Sequence, residues 1–211
     1  MRLARIFENN ERWIENKLST DPEFFSRLAK GQRPEILYIG CSDSRVTAEE
    51  MMGAQPGDLF VHRNIANLVP NNDINSMSVI KYAVQYLKVA HIVICGHYGC
   101  GGVDAAMRAD DLGILNPWLG NIRDIYRLHH KELEKIADDR ARYDRLVELN
   151  VQEQCINLFK IPEVQAASRA TTVFIHGWVF DVSTGRLRDL ELDLEKLMSG
   201  VESIYRLEES L

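Results

Sequence analysis

Three observations predict an α/β fold: a mostly parallel central sheet, about four parallel strands plus one antiparallel edge strand, flanked by helices. Short apolar runs bounded by Pro or Gly recur along the chain, as buried strands do. Between them lie segments whose apolar residues repeat every three and four positions, the helical period, and such alternation implies parallel strands joined by helical crossovers. The last two apolar stretches are linked only by the turn "STG" (183–185), which marks a hairpin and hence an antiparallel partner. At 211 residues the chain can enclose a core and reads as one domain, 1–211, with residues 1–30 as an N-terminal helical arm.

Taken in order, Leu3, Ile6, Phe7, Trp13, Ile14 and Leu18 fall at roughly helical spacing. "STDPEFFSRL" (19–28) then offers Ser19 or Thr20 as a cap, with Pro22 early in a second helix. The two helices share one apolar stripe, able to pack on its own core or on a partner subunit. "EILYIG" (35–40), between Pro34 and Gly40, reads as the first strand, and "DLFVHRN" (58–64), after the turn "QPGD", as the second. Ile74, Met77, Ile80, Val84 and Leu87 mark a helix before the third strand, "HIVICG" (91–96). Helical segments fill 100–109, about 116–137 and 139–160, and the fourth strand, "TTVFIHGWVFD" (171–181), pairs with "GRLRDLEL" (185–192). The charged stretch "KELEKIADDRARYDR" (131–145) reads as a solvated helix face or a connection between helices. No repeat of solenoid period and no low-complexity tract interrupts this order.

Composition excludes several classes of function. A net charge of −6 without any Lys/Arg run argues against a nucleic-acid partner, since phosphate binding requires a basic surface. No apolar run approaches the ~18 residues that span a bilayer, which argues against a membrane role. The start, "MRLARIFENNERWIENKL", has no uninterrupted apolar region of secretory type, so a cytoplasmic protein is expected. Cys41, Cys95, Cys100 and Cys155 are too sparse for a disulfide scaffold. In a reducing compartment such thiols are buried, catalytic or metal-bound.

"IGCSDSR" (39–45) and "ICGHYGCGG" (94–102) each place a thiol beside glycine at a strand end. In parallel sheets the ligand crevice lies beyond the carboxyl ends of the strands, which brings Cys41 and His97 within reach of each other. His97 and Cys100 are three apart, a spacing that lets two side chains converge on one ion, and the surrounding glycines permit the tight turn this requires. Thiolate plus imidazole is a zinc preference, and three firm ligands with one exchangeable position is the catalytic pattern. Cys41, Asp43 and Arg45 alternate, so an extended chain past Gly40 would point all three to one side. Asp43 as a fourth ligand would instead make a closed structural site, but Arg45 is a natural bidentate partner for that carboxylate. Cys95 and Cys155 read as small buried hydrophobes. "GHYGCGG" fits neither the dinucleotide fingerprint nor the P-loop pattern.

"CSDSR", "HRNIAN" and "GHYGCGG", in this order and spacing, closely resemble the β-class carbonic anhydrases; the similarity runs from about Gln32 to Gly102 and resumes at "HGWVFDVSTGRL" (176–187). The resemblance implies zinc-dependent reversible hydration of carbon dioxide to bicarbonate and a proton. It also implies one zinc per chain on Cys41, His97 and Cys100, with water or hydroxide at the fourth position. Asp43 would orient that hydroxide while Arg45 holds Asp43; in the family's closed form Asp43 moves onto the metal. By position in the family pattern, Gln32, Phe60, Ile65, Tyr82 and the backbone of Gly101 would line the substrate pocket, with Gln32 and Tyr82 drawn from a neighbouring subunit. Phe60 and Ile65 read equally as plain core residues.

One branch of the family binds regulatory bicarbonate between a Trp, an Arg and a Tyr. This chain has Tyr38, Arg63 and Phe180 at those positions, so an anion beside Arg63 would lose a donor. The resemblance further implies a homodimer or homotetramer. The alternative activity on the same zinc ligands is hydrolysis of carbonyl sulfide or carbon disulfide, and the non-enzymatic alternative is a zinc-binding scaffold in which Asp43 never leaves the metal.

Overall fold

The computed structural model describes residues 3–170, 172–199 and 202–205. The chain forms two compact units, divided between Arg33 and Pro34.

The first unit is a pair of helices, α1 (Ala4–Thr20) and α2 (Phe24–Leu28). Helix α1 stops because Asp21 precedes a proline and is extended, with φ −146°. Asp21 accepts from the Glu23 amide at 3.1 Å and pairs with Arg27, fixing the turn into α2. Trp13 meets Phe25 edge-on at 5.3 Å between ring centroids, and Phe25 meets Phe24 at 5.0 Å. Such aromatic pairs add to the burial of their area. Leu3 and Phe7, on the stripe read from the sequence, stay largely exposed.

The second unit carries a five-stranded sheet in the order β2-β1-β3-β4-β5. Strands β1 (Ile36–Cys41), β2 (Leu59–Asn64), β3 (His91–His97) and β4 (Phe174–Asp181) run parallel, and β5 (Arg186–Asp189) closes the edge antiparallel to β4. This is the predicted arrangement, with β4 beginning at Phe174; Thr171, the expected start of that strand, lies outside the described residues. After β1 the chain pairs β2 on one side and β3 on the other, so a topological switch point lies between β1 and β3.

Helix α3 (Ala48–Met52) follows β1, and α4 (Ile74–Lys81) continues into a π-turn at Tyr82–Leu87 before β3. Then come α5 (Gly101–Ala106), α6 (Asn116–Leu128), α7 (His130–Leu133), α8 (Asp139–Phe159) and α9 (Pro162–Arg169), with α10 (Leu194–Met198) and α11 (Glu202–Tyr205) after the hairpin. The charged stretch 131–145 contains a helix connection, residues 134–138: α7 ends at Leu133, and α8 begins beyond Asp138, whose carboxylate caps the Ala141 amide at 2.7 Å. Helices α3, α9, α10 and α11 are too short to show a period in sequence. Among the described residues, no helix is long and apolar enough to cross a membrane.

Alternation along the strands divides the core between the two sheet faces. Leu37, Ile39, Cys41, Ile92 and Ile94 join the larger cluster with α8, whereas Tyr38, Val93, Cys95 and Phe180 face the other side. Helix α8 lies close enough to the sheet that side chains are excluded at two positions: a Cβ on Gly96 would come within 2.7 Å of Val151, and one on Gly177 within 2.6 Å of Leu192 and 3.1 Å of Val151. Gly177→Val is therefore expected to destabilise the protein by about 2 kcal/mol through overpacking; an unchanged denaturant midpoint would contradict this close approach.

Candidate metal centre

Cys41 ends β1 and His97 ends the adjacent β3, so the switch point places both at one sheet edge. Beyond His97 the chain reverses at Gly99, whose φ of +75° suits glycine, and delivers Cys100 immediately before α5. The Cys41 and Cys100 sulfurs lie 3.9 Å apart, and these two atoms and a His97 ring nitrogen all fall within 4.8 Å of one another. All three residues are buried, His97 completely.

His97 Nδ1 is 3.1 Å from the Tyr98 carbonyl, which can only accept, so Nδ1 carries the proton and Nε2 presents its lone pair to the two sulfurs. Nε2 is buried and makes no hydrogen bond among the described residues. A buried polar atom in that position calls for a partner. Two thiols in contact share a proton, so the first ionises easily and the second with difficulty. Cys41 is the one pulled down, chiefly by the hydrogen bond from Cys100, while Cys100 is pushed up by the same neighbour and by burial. Backbone amides reinforce the sulfurs, those of Ala66 and Asp43 toward Cys41 and those of Gly102 and Val103 toward Cys100. Two soft sulfurs, one imidazole lone pair and a second shell that fixes the tautomer fit zinc.

Asp43 and Arg45 meet at the rim of this trio, but not by the alternation that an extended chain would give. The backbone turns after Asp43, the Val46 amide bonding the Asp43 carbonyl at 3.1 Å and the Arg45 amide bonding Asp43 Oδ1 at 2.9 Å. Arg45 Nε and Nη2 then hold both carboxylate oxygens, at 2.9 and 2.7 Å, and Nη2 reaches the Gly99 carbonyl at 3.1 Å. These bonds from Arg45 keep the Asp43 carboxyl well below the usual carboxylate range. Asp43 Oδ2 lies 3.8 Å from His97 Nε2, beside the trio rather than part of it.

The carbonic anhydrase family profile matches residues 36–187. A carbonic anhydrase of Emericella nidulans is 57% identical over 204 residues, covering 96% of this chain and 90% of that relative. A β-carbonic anhydrase of Aspergillus fumigatus superposes with a TM-score of 0.90 at 38% identity, over 99% of this chain and 100% of that one. A structure from a study of two tetrameric β-carbonic anhydrases of Sordaria macrospora superposes at 0.86 with 42% identity, over 90% of this chain and 96% of that one. This chain belongs to the β-class carbonic anhydrases.

It is thus an enzyme of the family whose general reaction is carbon dioxide hydration. Of the other residues that the β-class pattern singled out, Phe60 and Tyr82 come together, their rings 5.8 Å apart. Ile65 is exposed on one side and on the other lies against Gly102, where a Cβ would come within 2.7 Å of it. Gly101 has open space where a side chain would be, next to Cys100. Gln32 belongs to the first unit and is exposed. Tyr38 and Phe180 are buried in one apolar cluster.

Arg63 has a structural task at the centre. Its Nε donates to the Cys41 carbonyl at 2.9 Å and its Nη2 to the Asp43 carbonyl at 2.6 Å, so β2 clamps the loop that carries both residues. Arg63→Met is expected to reduce catalytic efficiency on the order of tenfold, as loss of an outer partner does. Kinetics on a correctly folded variant equal to wild type would show that the clamp is dispensable.

Sequence reasoning did not anticipate the supports drawn from α8. Tyr143 donates to the Cys100 carbonyl at 2.9 Å, and Glu148 accepts from the Tyr98 hydroxyl at 2.7 Å. Tyr143 falls in the charged stretch 131–145, read as a solvated face or a connection, and Glu148 in the helical segment 139–160; only the packing of α8 on the strand ends brings them to the site.

Proposed function

We propose that this chain catalyses reversible hydration of carbon dioxide with one zinc held by Cys41, His97 and Cys100. The observation that carries the proposal is the buried, unpartnered His97 Nε2 facing two sulfurs 3.9 Å apart, with an arginine-held carboxylate at the rim. When bound, zinc would supply Lewis-acid activation of a water molecule; two thiolates and one imidazole cancel its double charge, so it would activate that water less than zinc held by three neutral imidazoles in an unrelated carbonic anhydrase, where a pKa of about 7 is known.

Asp43 acts on the attacking water. Its Oδ2 accepts a hydrogen bond from the water's O–H, which turns the oxygen lone pair toward the carbon of carbon dioxide. A C–O bond forms, one C=O bond yields its electrons to oxygen, and the proton passes to solvent as bicarbonate leaves. Arg45 is a positioning residue, holding both oxygens of Asp43 and keeping the carboxylate ionised so that it accepts rather than donates. Its bond to the Gly99 carbonyl ties this gate to the loop that carries Cys100.

The tetramers named for the Sordaria macrospora structures and the exposed apolar residues of α1 support a homodimer or homotetramer here. The free thiols at Cys41 and Cys100 suit a reducing, cytoplasmic compartment.

Stopped-flow hydration of carbon dioxide across pH, with metal quantified in the same sample, tests the reading. One zinc per chain and activity rising toward mildly alkaline pH are expected, because two thiolates cancel the metal's charge and leave its water less acidic. A profile flat from weakly acidic to alkaline would contradict the charge argument. Turnover of carbonyl sulfide with none of carbon dioxide would replace the substrate, and zinc without turnover at any pH would favour a scaffold.

A further inference from the structure

The loop from His97 to Cys100 offers three consecutive carbonyls, and each receives a side-chain donor. The Tyr98 carbonyl takes the His97 Nδ1 proton at 3.1 Å, the Gly99 carbonyl takes Arg45 Nη2 at 3.1 Å, and the Cys100 carbonyl takes the Tyr143 hydroxyl at 2.9 Å. The first of these bonds decides the most, because it fixes the tautomer in which Nε2 keeps its lone pair for the sulfurs. Its acceptor is only as well placed as the tyrosine that carries it.

Tyr98 is held at both ends. Its amide donates to the Phe180 carbonyl of β4 at 3.0 Å, and its hydroxyl donates to Glu148 Oε1 at 2.7 Å. Glu148 is itself fixed: its side chain is 13% exposed, Arg188 of β5 donates to Oε1 at 2.8 Å, and Arg145 donates to Oε2 at 2.9 Å. Arg188 also donates to the Tyr98 hydroxyl oxygen at 3.0 Å. A charged acceptor makes the stronger kind of hydrogen bond. The two arginines alone would balance the charge of Glu148, so the electrostatics of the cluster do not account for the tyrosine.

Further along α8, Asn150 Nδ2 donates to the Ala66 carbonyl at 2.9 Å and Gln154 Oε1 accepts from the Val69 amide at 2.7 Å, which holds the turn at Ala66 after β2. Polar side chains of this helix thus serve the loops beyond the strand ends, and Glu148 is the one that takes hold of a side chain lying between His97 and Cys100.

We propose that Glu148 is a positioning residue of the metal centre, acting on His97 through Tyr98. By anchoring the Tyr98 hydroxyl it keeps the Tyr98 carbonyl in line with His97 Nδ1, and so holds the ring with Nε2 toward Cys41 and Cys100. For zinc the inference rests on the metal reading given under Proposed function; for the orientation of the ring it does not.

Nitrogen-edited NMR of the histidine rings in the full chain reads the bond to Nδ1 directly, and zinc retention against a chelator is measured on the same preparation. In the wild type the His97 Nδ1 proton is expected as a downfield, slowly exchanging resonance. Glu148→Leu leaves the Tyr98 hydroxyl without its carboxylate. It is expected to move that resonance upfield, to speed its exchange on the order of tenfold, and to weaken zinc retention by a similar factor. Glu148→Gln, which keeps an acceptor oxygen, is expected to restore most of both. Arg145→Met breaks the ion pairs with Glu132 and Glu148 but spares the tyrosine bond, and is expected to lower stability with the resonance unmoved. Should Glu148→Leu not fold, Tyr98→Phe, which deletes only the hydroxyl, is expected to give the same shift. An unmoved resonance in Glu148→Leu, or in Tyr98→Phe where that takes its place, overturns the proposal, as does an equal shift in Arg145→Met. A moved resonance with wild-type zinc retention overturns it too. A wild type that holds no zinc overturns the metal reading alone, because the Nδ1 resonance still decides whether Glu148 positions the ring.

Discussion

Replacing Cys100 by serine is expected to remove both the metal and the catalysis. A serine hydroxyl does not ionise near neutral pH, so the variant retains one thiolate and one imidazole where zinc prefers at least three protein ligands. Cys100 is 1% exposed, and its sulfur is the atom against which Cys41 is set at 3.9 Å, so no other side chain in the trio can take its place. The loss of metal affinity should exceed the roughly 10–100-fold typical of outer partners. The fold should survive with a cost of about 1–2 kcal/mol for burying a hydroxyl. Metal content and stopped-flow hydration measured on the same preparation check this. One zinc per chain with wild-type turnover would mean that Cys100 is no ligand.

The second large effect is expected at Asp43. Asp43→Asn preserves the shape of the side chain but replaces an acceptor oxygen with a donor nitrogen, which faces either Arg45 or the attacking water. Turnover should fall by roughly 10²–10³, the range of a lost proton-handling group, while metal content stays at one per chain because Asp43 lies outside the ligand trio. Melting should change little, since Arg45 is largely exposed and such ion pairs contribute little to stability. The two variants thus separate holding the metal from using it. Normal turnover in Asp43→Asn would remove the carboxylate from the mechanism, and loss of metal from the same variant would make Asp43 a ligand.

The acid side of the profile follows from the same carboxylate. Hydrogen bonds from Arg45 stabilise its ionised form, so its folded value lies below the unfolded one, and the benefit persists until pH falls through the lowered value. Asp43 therefore remains an acceptor throughout weakly acidic solution, and the decline of activity there belongs to the water and not to its orienting group.

The sheet was legible because its signals are local. The uninterrupted apolar runs of "ILYIGC" and "HIVICGH", the helical period through Ile74, Met77, Ile80 and Val84, and the turn at "STG" each lie within one short window. Helix α3 and helices α9 to α11 were not legible, because each ends within four to eight residues, whereas the period through α4 runs on into the π-turn as far as Leu87. The meeting of Asp43 with Arg45 was expected from alternation, yet an Asp-centred turn produces it. The side chain's bond to its own backbone two residues on overrides continuation of the strand.

By itself the sequence determined the donor types and their order: a thiol at one strand end, an imidazole and a second thiol at the next, with a carboxylate and a guanidinium two residues apart. Those are chemical identities, and spacing along one segment suffices to read them. Only the tertiary structure decided which backbone groups receive Arg63, Tyr143, Asn150 and Gln154, how the turn at Ala66 is held, and that Asp43 stands beside the trio. These contacts join residues 20 to 85 positions apart, and such separations close only when α8 settles on the sheet and the strands take their order.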